Sequence, residues 1–202
     1  MTIRVLLAED QSMVRGALRA LLDLEPDIEV VAEVGRGDLV LAAAQEHRPD
    51  VALLDIEMPG QDGIEAAREL AAQLPDVRAV VLTTFGRPGF LRRAMEVGAA
   101  GFLVKDAPVA ELARSIRAVV GGERVIDRHL AAAALALGAT PLSAREADVL
   151  RAAADGATVA DIAGRLFLSE GTVRNYLSAA IGKTGARTRV EAARVAADKG
   201  WL

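Results

Sequence analysis

Short runs of apolar residues alternate with helix-like patterns along the first half of the chain. The middle run, residues 51–54, is continuously apolar and leads into Asp55, before a turn that contains Pro59 and Gly60. A continuous run between turn signals is typical of a strand that is buried on both faces of a parallel sheet. Strands are predicted in the same way at 3–8, 28–34, 51–55, 77–82 and 101–104.

Helix patterns separate these strands, with apolar residues recurring every three or four positions. Strict alternation of strands and helices predicts an α/β fold, in which a doubly wound five-stranded parallel sheet has helices on both faces. Right-handed crossovers bring the carboxyl ends of the strands to one edge, where open α/β sheets bind ligands. The polar residues expected at that edge are Glu9, Asp10, Asp55, Thr83 and Lys105.

The three carboxylates of this set would repel one another unless a cation or raised pKa values relieved the repulsion. A site made only of oxygen ligands favours Mg²⁺ over zinc or copper. The chemistry that suits these residues is phosphoryl transfer, with a carboxylate as the nucleophile. In that reaction the Lys105 ammonium would neutralise phosphoryl oxygens, and the Thr83 hydroxyl would bond one of them.

The pattern changes to helices alone from Leu142 onward. We expect a first domain at residues 1–122, a linker at 123–140 with a helix at 129–137, and a second domain at 141–202. Ser143 precedes Glu146 by three residues, which predicts a capping box at the start of a helix. Further helices are predicted at 158–166, 170–183 and 187–199, and four short helices with tight turns are typical of a helix-turn-helix domain.

The predicted helix at 170–183 has two faces of different character. Arg174, Asn175 and Ser178 form a short polar face with one cation, as a helix in the major groove of DNA requires. Arginine suits guanine and asparagine suits adenine by bidentate hydrogen bonding. The opposite, apolar face consists of Val173, Tyr176, Leu177 and Ala180.

Charge is distributed unevenly between the two halves of the chain. The net charge of −4 divides into −6 on residues 1–139 and +2 on residues 140–202. An acidic first part and a mildly basic second part are compatible with a regulatory domain joined to a nucleic-acid reader. Phosphate contacts are expected from the helix start at Thr172 and from Lys183, Arg187 and Arg189.

Composition excludes several other classes of site. The chain has no cysteine, which excludes disulfides and thiolate metal sites, and its two histidines, His47 and His129, are isolated from one another. No apolar stretch reaches the length of a spanning helix, and residues 1–4 lack the pattern of a signal peptide. We therefore expect a cytoplasmic protein that does not associate with membranes.

The first half of the chain resembles the receiver domain of bacterial two-component response regulators. The motif D-I-E-M-P-G-x-D-G at 55–63 carries the resemblance, together with the acidic pair before the first helix and the hydroxyl and lysine at two later strand ends. The resemblance covers residues 1–122 and implies a flavodoxin-like sheet. It also implies that Asp55 accepts a phosphoryl group from a partner histidine kinase.

The same resemblance implies roles for the residues around the phosphoacceptor. Asp10 and Asp55 would bind Mg²⁺ through their side chains, Glu57 through its backbone carbonyl, and Glu9 directly or through water. Thr83 and Phe102 would form a switch pair, in which Phe102 replaces the tyrosine often found at that position.

Residues 140–202 resemble the LuxR/NarL-type helix-turn-helix domain, on the motifs L-S-x-R-E at 142–146 and S-x-G-T-V-R-N-Y at 169–176. The whole chain is then a phosphorylation-dependent transcription regulator. Its low positive charge predicts weak DNA binding by one copy, so phosphorylation would act by promoting a homodimer on paired half-sites. Two surfaces of the receiver domain are alternatives for the dimer interface. One consists of the helices next to the sheet edge that carries the switch residues, and the other consists of the first and last helices of the domain.

Two other classes of protein fit part of the pattern. A phosphatase of the haloacid dehalogenase type also arranges Asp, Thr and Lys around Mg²⁺, although it expects a second Asp where this chain has Glu57 and places its nucleophile after the first strand. The other class is a structural adaptor protein, whose helical domain would bind protein rather than DNA.

Overall fold

The structure is a computed structural model that describes residues 2–84, 88–105, 109–128, 130–132 and 140–202. The chain divides into two compact units. The first consists mainly of residues before 132, and the second mainly of residues 132–202. Among the described residues, no helix combines the length and the apolar character needed to cross a bilayer.

A parallel sheet with the strand order β2-β1-β3-β4-β5-β6 forms the first unit. Its strands are β1 (Ile3–Ala8), β2 (Ile28–Val34), β3 (Val51–Asp55), β4 (Arg78–Thr83), β5 (Gly101–Val104) and β6 (Val125–Ile126). The crossover helices are α1 (Ser12–Leu22), α2 (Val40–His47, preceded by a 3-10 turn at Gly37–Leu39), α3 (Gly63–Gln73), α4 (Pro88–Glu96) and α5 (Val109–Val120). The predicted doubly wound α/β fold is thus confirmed.

The prediction of five strands was wrong, because the described sheet has six. Strand β6 adds to the edge beside β5, where Val125 pairs with Gly101 and Ile126 with Phe102. Two residues are too few to show a strand periodicity, and they lie within the segment predicted as a linker. In the remainder of that segment, residues 128 and 130–132 are helical, while His129 and 133–139 of the predicted helix lie outside the described residues.

Burial on both faces of the sheet explains the continuous apolar runs. Alternate residues of one strand enter different cores: Leu53 packs with α1 and α5 residues, whereas Leu54 packs with α2 and α3 residues. All five residues of β3 are buried. Because each fully buried leucine contributes about 1.5–3 kcal/mol, this central strand fixes the position of the carboxylate at its end.

The turn after β3 depends on a glycine and on a cap. Asp62 accepts a hydrogen bond from the Glu65 amide at 2.8 Å and so caps the start of α3. A Cβ atom on Gly63 would lie 1.9 Å from the carbonyl oxygen of Asp55. The backbone of α3 therefore approaches the end of β3 more closely than any side chain permits.

The second unit is helical, as predicted. Its described helices are α6 (Ala144–Ala153), α7 (Val159–Leu166), α8 (Glu170–Thr184) and α9 (Arg189–Asp198). They surround one apolar core that includes Leu150, Ile162, Val173 and Ala192, with Trp201 packed against it. The predicted capping box at Ser143 is present, and a second one at Thr158 and Asp161 starts α7.

Glu146 links that first capping box to helix α8. Its carboxylate accepts a hydrogen bond from the Ser143 amide at 2.7 Å and contacts the Lys183 ammonium on α8 at 2.7 and 2.9 Å. The ammonium, more than the cap, lowers the pKa of the Glu146 carboxyl below its ordinary value. The ionised form of Glu146 therefore stabilises the packing of α6 against α8.

We expect Gly63→Ala to destabilise the first unit by at least about 2 kcal/mol, because the added methyl group meets a backbone oxygen that cannot move alone. Gly16→Ala is the matched control, since a Cβ on that α1 residue meets nothing within 4 Å. The control should gain about 0.5–1 kcal/mol of helix stability. Urea unfolding followed by far-ultraviolet circular dichroism measures both; equal stability of the two variants would contradict the close approach.

We expect Glu146→Gln to destabilise the helical unit at neutral pH by roughly 1–2 kcal/mol, since it removes charge-assisted hydrogen bonds. The folded pKa of Glu146 is depressed, so its stabilisation is present above the ordinary glutamate value of 4.5 and is lost as the pH falls through the folded value. The difference between parent and variant should therefore shrink below about pH 4.5.

Unfolding of this unit can be followed by the fluorescence of Trp201, the only tryptophan of the chain. Asp148→Asn serves as the control, because its ion pair with Arg151 lies on the surface of the same helix. Exposed pairs of this kind contribute within about 1 kcal/mol. A Glu146→Gln effect that persisted unchanged at acid pH would show that the carboxylate charge is not its cause.

Candidate functional sites

Three carboxylates meet at the carboxyl ends of β1 and β3, as predicted. Oxygen atoms of Glu9, Asp10 and Asp55 all lie within 4.8 Å of one another. Glu9 is fully buried and Asp55 is 4% exposed, whereas Asp10 is exposed to solvent. The cluster is therefore a pocket of two buried carboxylates that is accessible from the side of Asp10.

Lys105 lies between the two buried carboxylates. Its Nζ atom is 2.6 Å from Glu9 Oε2 and 2.8 Å from Asp55 Oδ1. The backbone amide of Lys105 donates to the Thr83 carbonyl at 2.8 Å, which holds the residue at the end of β5. The sheet edge thus assembles residues that are almost a hundred positions apart in the sequence.

Burial determines the electrostatics of this cluster. It raises the pKa values of Glu9 and Asp55 above their ordinary values, although hydrogen bonds from Lys105 act in the opposite direction. Burial alone would lower the pKa of Lys105, but its hydrogen bonds to Asp55 and Glu9 outweigh that effect and raise it. One ammonium therefore does not fully compensate the buried negative charges.

This donor set fits a small divalent cation. Carboxylate oxygens at about 2.1 Å from Mg²⁺ would lie about 3–4 Å from one another, within the spacing of the cluster. Glu9, Asp10 and Asp55 all offer carboxylate oxygens, which are hard ligands, unlike sulfur or imidazole. A hard ion that keeps some of its water, such as Mg²⁺, suits these oxygens best.

The other residues predicted for this site have different degrees of burial. Thr83 is the last residue of β4 and is 4% exposed, so its hydroxyl belongs to the same sheet edge. Phe102 on β5 is fully buried and pairs with Val81 in register. Glu57 is exposed and lies in the turn after β3. The proposed roles of these three residues stay predictions.

One side chain that the sequence pattern did not identify also reaches the cluster. Arg15 on α1 donates from Nη1 to the backbone carbonyl of Glu9 at 2.5 Å. The helical pattern alone does not distinguish Arg15 from Arg19, one turn later on the same helix. Its contact depends on how α1 packs over β1, which periodicity does not reveal.

The predicted DNA-reading face of α8 is exposed in the structure. Arg174, Asn175 and Ser178 are exposed, whereas Val173 and Leu177 are buried in the helical core. The expected division of the helix into two faces is thus present, and Tyr176 packs partly buried against the core. Ser169 caps the helix by accepting from the Thr172 amide at 3.1 Å.

Several of the cations predicted to bind DNA have partners within the unit. Arg174 contacts Glu170 at 2.6 Å, and Lys183 contacts Glu146. Arg189 donates to the Gly156 carbonyl at 3.4 Å, while Arg187 is exposed. Contacts of these residues with bases or phosphates stay predictions, and those of Arg174 and Lys183 would compete with the ion pairs.

Comparison with known protein families identifies a domain in each half of the chain. Residues 5–117 match the response regulator receiver domain, and residues 140–196 match the bacterial regulatory proteins of the luxR family. The chain belongs to the LuxR-family response regulators. Such a regulator combines a receiver domain, which implies a histidine kinase partner, with a domain that binds DNA.

Similar proteins cover this response regulator from end to end. The transcriptional regulatory proteins YvfU and DesR, both from Bacillus subtilis (strain 168), are 44% and 43% identical over 200 residues. The alignments cover 99% of this chain, 100% of YvfU and 99% of DesR. The crystal structure of the response regulator ChrA in a heme-sensing two-component system is 34% identical with a TM-score of 0.60, over 100% of this chain and 99% of ChrA.

These relatives separate the response regulator from the phosphatase alternative. The family consists of transcriptional regulators and not of enzymes. Asp55 ends the third strand along the chain, whereas the nucleophile of the phosphatase was expected after the first. The carboxylate cluster is therefore the acidic site of a receiver domain, of the kind that binds Mg²⁺.

Proposed function

We propose that this response regulator is a phosphorylation-dependent transcription regulator whose phosphoacceptor is Asp55. A sensor histidine kinase supplies the phosphoryl group. Mg²⁺ would be held by the side chains of Asp10 and Asp55, by the backbone carbonyl of Glu57, and by Glu9 directly or through water. The observation that carries the proposal is the Lys105 ammonium 2.8 Å from a buried Asp55 inside a cluster of three carboxylates.

The transfer step follows from the chemistry of these groups. A carboxylate oxygen of Asp55 attacks phosphorus as the bond from phosphorus to the kinase imidazole nitrogen breaks, and the imidazole leaves with the bonding electrons. Lys105 stays charged next to Asp55 and stabilises the phosphoryl oxygens in the transition state. Mg²⁺, when bound, neutralises charge on the same oxygens.

Phosphorylation is signalled through the neighbouring strands. Thr83 and Lys105 are held together by the hydrogen bond from the Lys105 amide to the Thr83 carbonyl. The Thr83 hydroxyl moves to form a hydrogen bond with a phosphoryl oxygen. The buried ring of Phe102 changes its position in response to this movement of Thr83. Since Phe102 pairs with β4 on one side and with β6 on the other, its displacement would reach the edge of the sheet.

DNA binding requires two copies of the chain. With a net charge of only +2 on residues 140–202, one helical domain neutralises few phosphates, so two domains on paired half-sites are needed. A homodimer formed on phosphorylation provides them. We propose domains at 1–122 and 141–202 joined by a linker at 123–140, in a protein that acts on the chromosome in the cytoplasm.

We expect Asp55→Asn to abolish phosphorylation by acetyl phosphate and Mg²⁺, because an amide is not a nucleophile for phosphorus at neutral pH. Mass spectrometry of the intact protein measures the added phosphoryl group, and sedimentation velocity measures dimer formation. Asp76→Asn, which changes an exposed carboxylate in the loop before β4, should behave like the parent in both. Equal labelling or equal dimerisation of Asp55→Asn and the parent would refute the proposed mechanism.

We expect Asn175→Ala to weaken binding to the preferred DNA site by about 1–3 kcal/mol and to relax the choice of one base, since a bidentate contact is lost. Arg187→Ala should instead weaken binding to all DNA sequences alike. It should also reduce the slope of log affinity against log salt concentration by about one, as the loss of one phosphate contact does. The site is first selected from random duplexes with the phosphorylated parent, and affinities are then measured at several salt concentrations.

Arg194→Ala is the control for this experiment, because Arg194 is an exposed cation on α9 outside the predicted contacts. Its affinity and base preference should equal those of the parent. An Asn175→Ala variant with unchanged affinity and unchanged base preference would remove the exposed face of α8 from the DNA interface.

A further inference from the structure

The guanidinium of Arg15 reaches from α1 to the end of β1. Its Nη1 atom donates to the Glu9 carbonyl at 2.5 Å, and its Nε atom lies 3.8 Å from a carboxylate oxygen of Glu33 on β2. Glu33 also pairs with Arg19, one turn further along α1. Arg15 is thus held from β2 while it contacts the backbone of a residue in the carboxylate cluster.

The other polar groups of Glu9 contact groups other than Arg15. The Glu9 amide donates to the Val34 carbonyl at 3.0 Å, one carboxylate oxygen accepts from the Gln11 amide at 3.2 Å, and the other lies by Lys105. Strand β1 ends at Ala8, and among the described residues no backbone amide donates to the Glu9 carbonyl. Arg15 supplies the hydrogen bond that this buried carbonyl would otherwise lack.

The Glu9 carbonyl belongs to the peptide plane that carries the amide nitrogen of Asp10. Because a peptide unit is planar, fixing its oxygen also fixes the direction in which the chain enters Asp10. Asp10 is exposed, and its side chain has fewer contacts to hold it than the buried Glu9 and Asp55 have. The orientation of this peptide therefore sets the backbone position from which the Asp10 carboxylate reaches towards Asp55.

Gly35, just after β2, leaves the space in which the guanidinium lies. A Cβ atom at Gly35 would be 3.1 Å from Arg15 Nη1 and 3.8 Å from the Glu9 oxygen. A larger side chain at this position would displace the guanidinium from the carbonyl without removing its charge. The hydrogen bond can therefore be disturbed in two independent ways.

From these contacts we infer that Arg15 is a positioning residue for the Mg²⁺ site, which fixes the Glu9–Asp10 peptide and thereby the spacing of the Asp10 and Asp55 carboxylates. The inference rests on the proposed function, because it concerns the same acidic site. Groups that orient metal ligands from the second layer of a site typically change metal affinity about 10–100-fold when they are removed.

The experiment compares ion binding by the full chain and five variants, of which Asp55→Asn tests the metal site itself. Mn²⁺, which binds the same kind of oxygen ligands, is titrated with electron paramagnetic resonance of the free ion as the readout, and Mg²⁺ is used to compete. Arg15→Ala should weaken the affinity at least about tenfold. Gly35→Val should weaken it to a value between that of Arg15→Ala and the parent, because the charge remains but is displaced.

Two further variants distinguish positioning from a general loss of charge or stability. Arg15→Lys should recover part of the affinity, since an ammonium can still donate to the carbonyl. Arg19→Ala removes a cation from the same helix and the same Glu33 pair but not the contact with Glu9, so its affinity should equal that of the parent. Thermal unfolding midpoints confirm that all variants are folded at the temperature of the titration.

The outcomes separate this inference from the function on which it rests. Equal affinity of Arg15→Ala and the parent, or equal losses in Arg15→Ala and Arg19→Ala, would overturn the positioning role while leaving the Mg²⁺ site intact. Failure of the parent itself to bind either ion, or binding that Asp55→Asn does not weaken, would instead overturn the proposed metal site and the inference with it.

Discussion

The contact of the Lys105 ammonium with two buried carboxylates is the interaction on which the first unit depends. Burial removes Glu9 and Asp55 almost entirely from water and raises the cost of ionising both. Repulsion from Asp55 adds to this cost for Glu9, and repulsion from Asp10 adds to it for Asp55. Lys105 offsets part of that cost, since its two contacts keep its own charge in spite of burial. The remaining negative charge, with the exposed Asp10 beside it, leaves a site that favours a cation and then an anionic phosphoryl group.

The sheet makes this arrangement possible because it brings together Glu9, Asp55 and Lys105, which belong to separate segments of the chain. Strand β3 lies in the middle of the sheet, is buried on both faces, and delivers Asp55 to the edge. The backbone hydrogen bond from Lys105 to Thr83 joins the ends of β5 and β4. The close approach at Gly63 then returns the chain directly behind Asp55. Packing on both sides of the sheet therefore supports a charged cluster that would be unstable alone.

Much of the architecture could be predicted from hydrophobic periodicity. Where the prediction failed, the structure of the segment depends on contacts that the periodicity does not contain. The apolar run before Asp55 predicted a central strand because burial on both faces leaves no polar position in it. Strand β6 escaped prediction because Val125 and Ile126 form too short a run, and pairing with β5 decides their structure. At Thr158, by contrast, a local contact is enough: a capping box shared with Asp161, three residues later, begins α7 within one residue of the predicted start.

The acidic site was predictable as a set of residues but not as a geometry. Topology alone brings strand ends to one edge, so Glu9, Asp55 and Lys105 were expected together. Which carboxylates Lys105 contacts, and how deeply they are buried, depends on side-chain packing that no spacing rule contains. Arg15 shows the same limit, since only the docking of α1 on the sheet distinguishes it from its neighbours on that helix.

Two cations that are predicted to bind DNA form ion pairs within the helical unit. Arg174 and Lys183 each contact a carboxylate of the same unit, so a phosphate must displace Glu170 or Glu146 before it gains their full charge. The exchange is easy for Arg174, because exposed pairs contribute only about 0.3–0.5 kcal/mol, and harder for Lys183, whose partner is buried. A domain whose cations are partly neutralised in this way attracts any DNA weakly, and this is why the proposed function assigns DNA binding to a pair of domains.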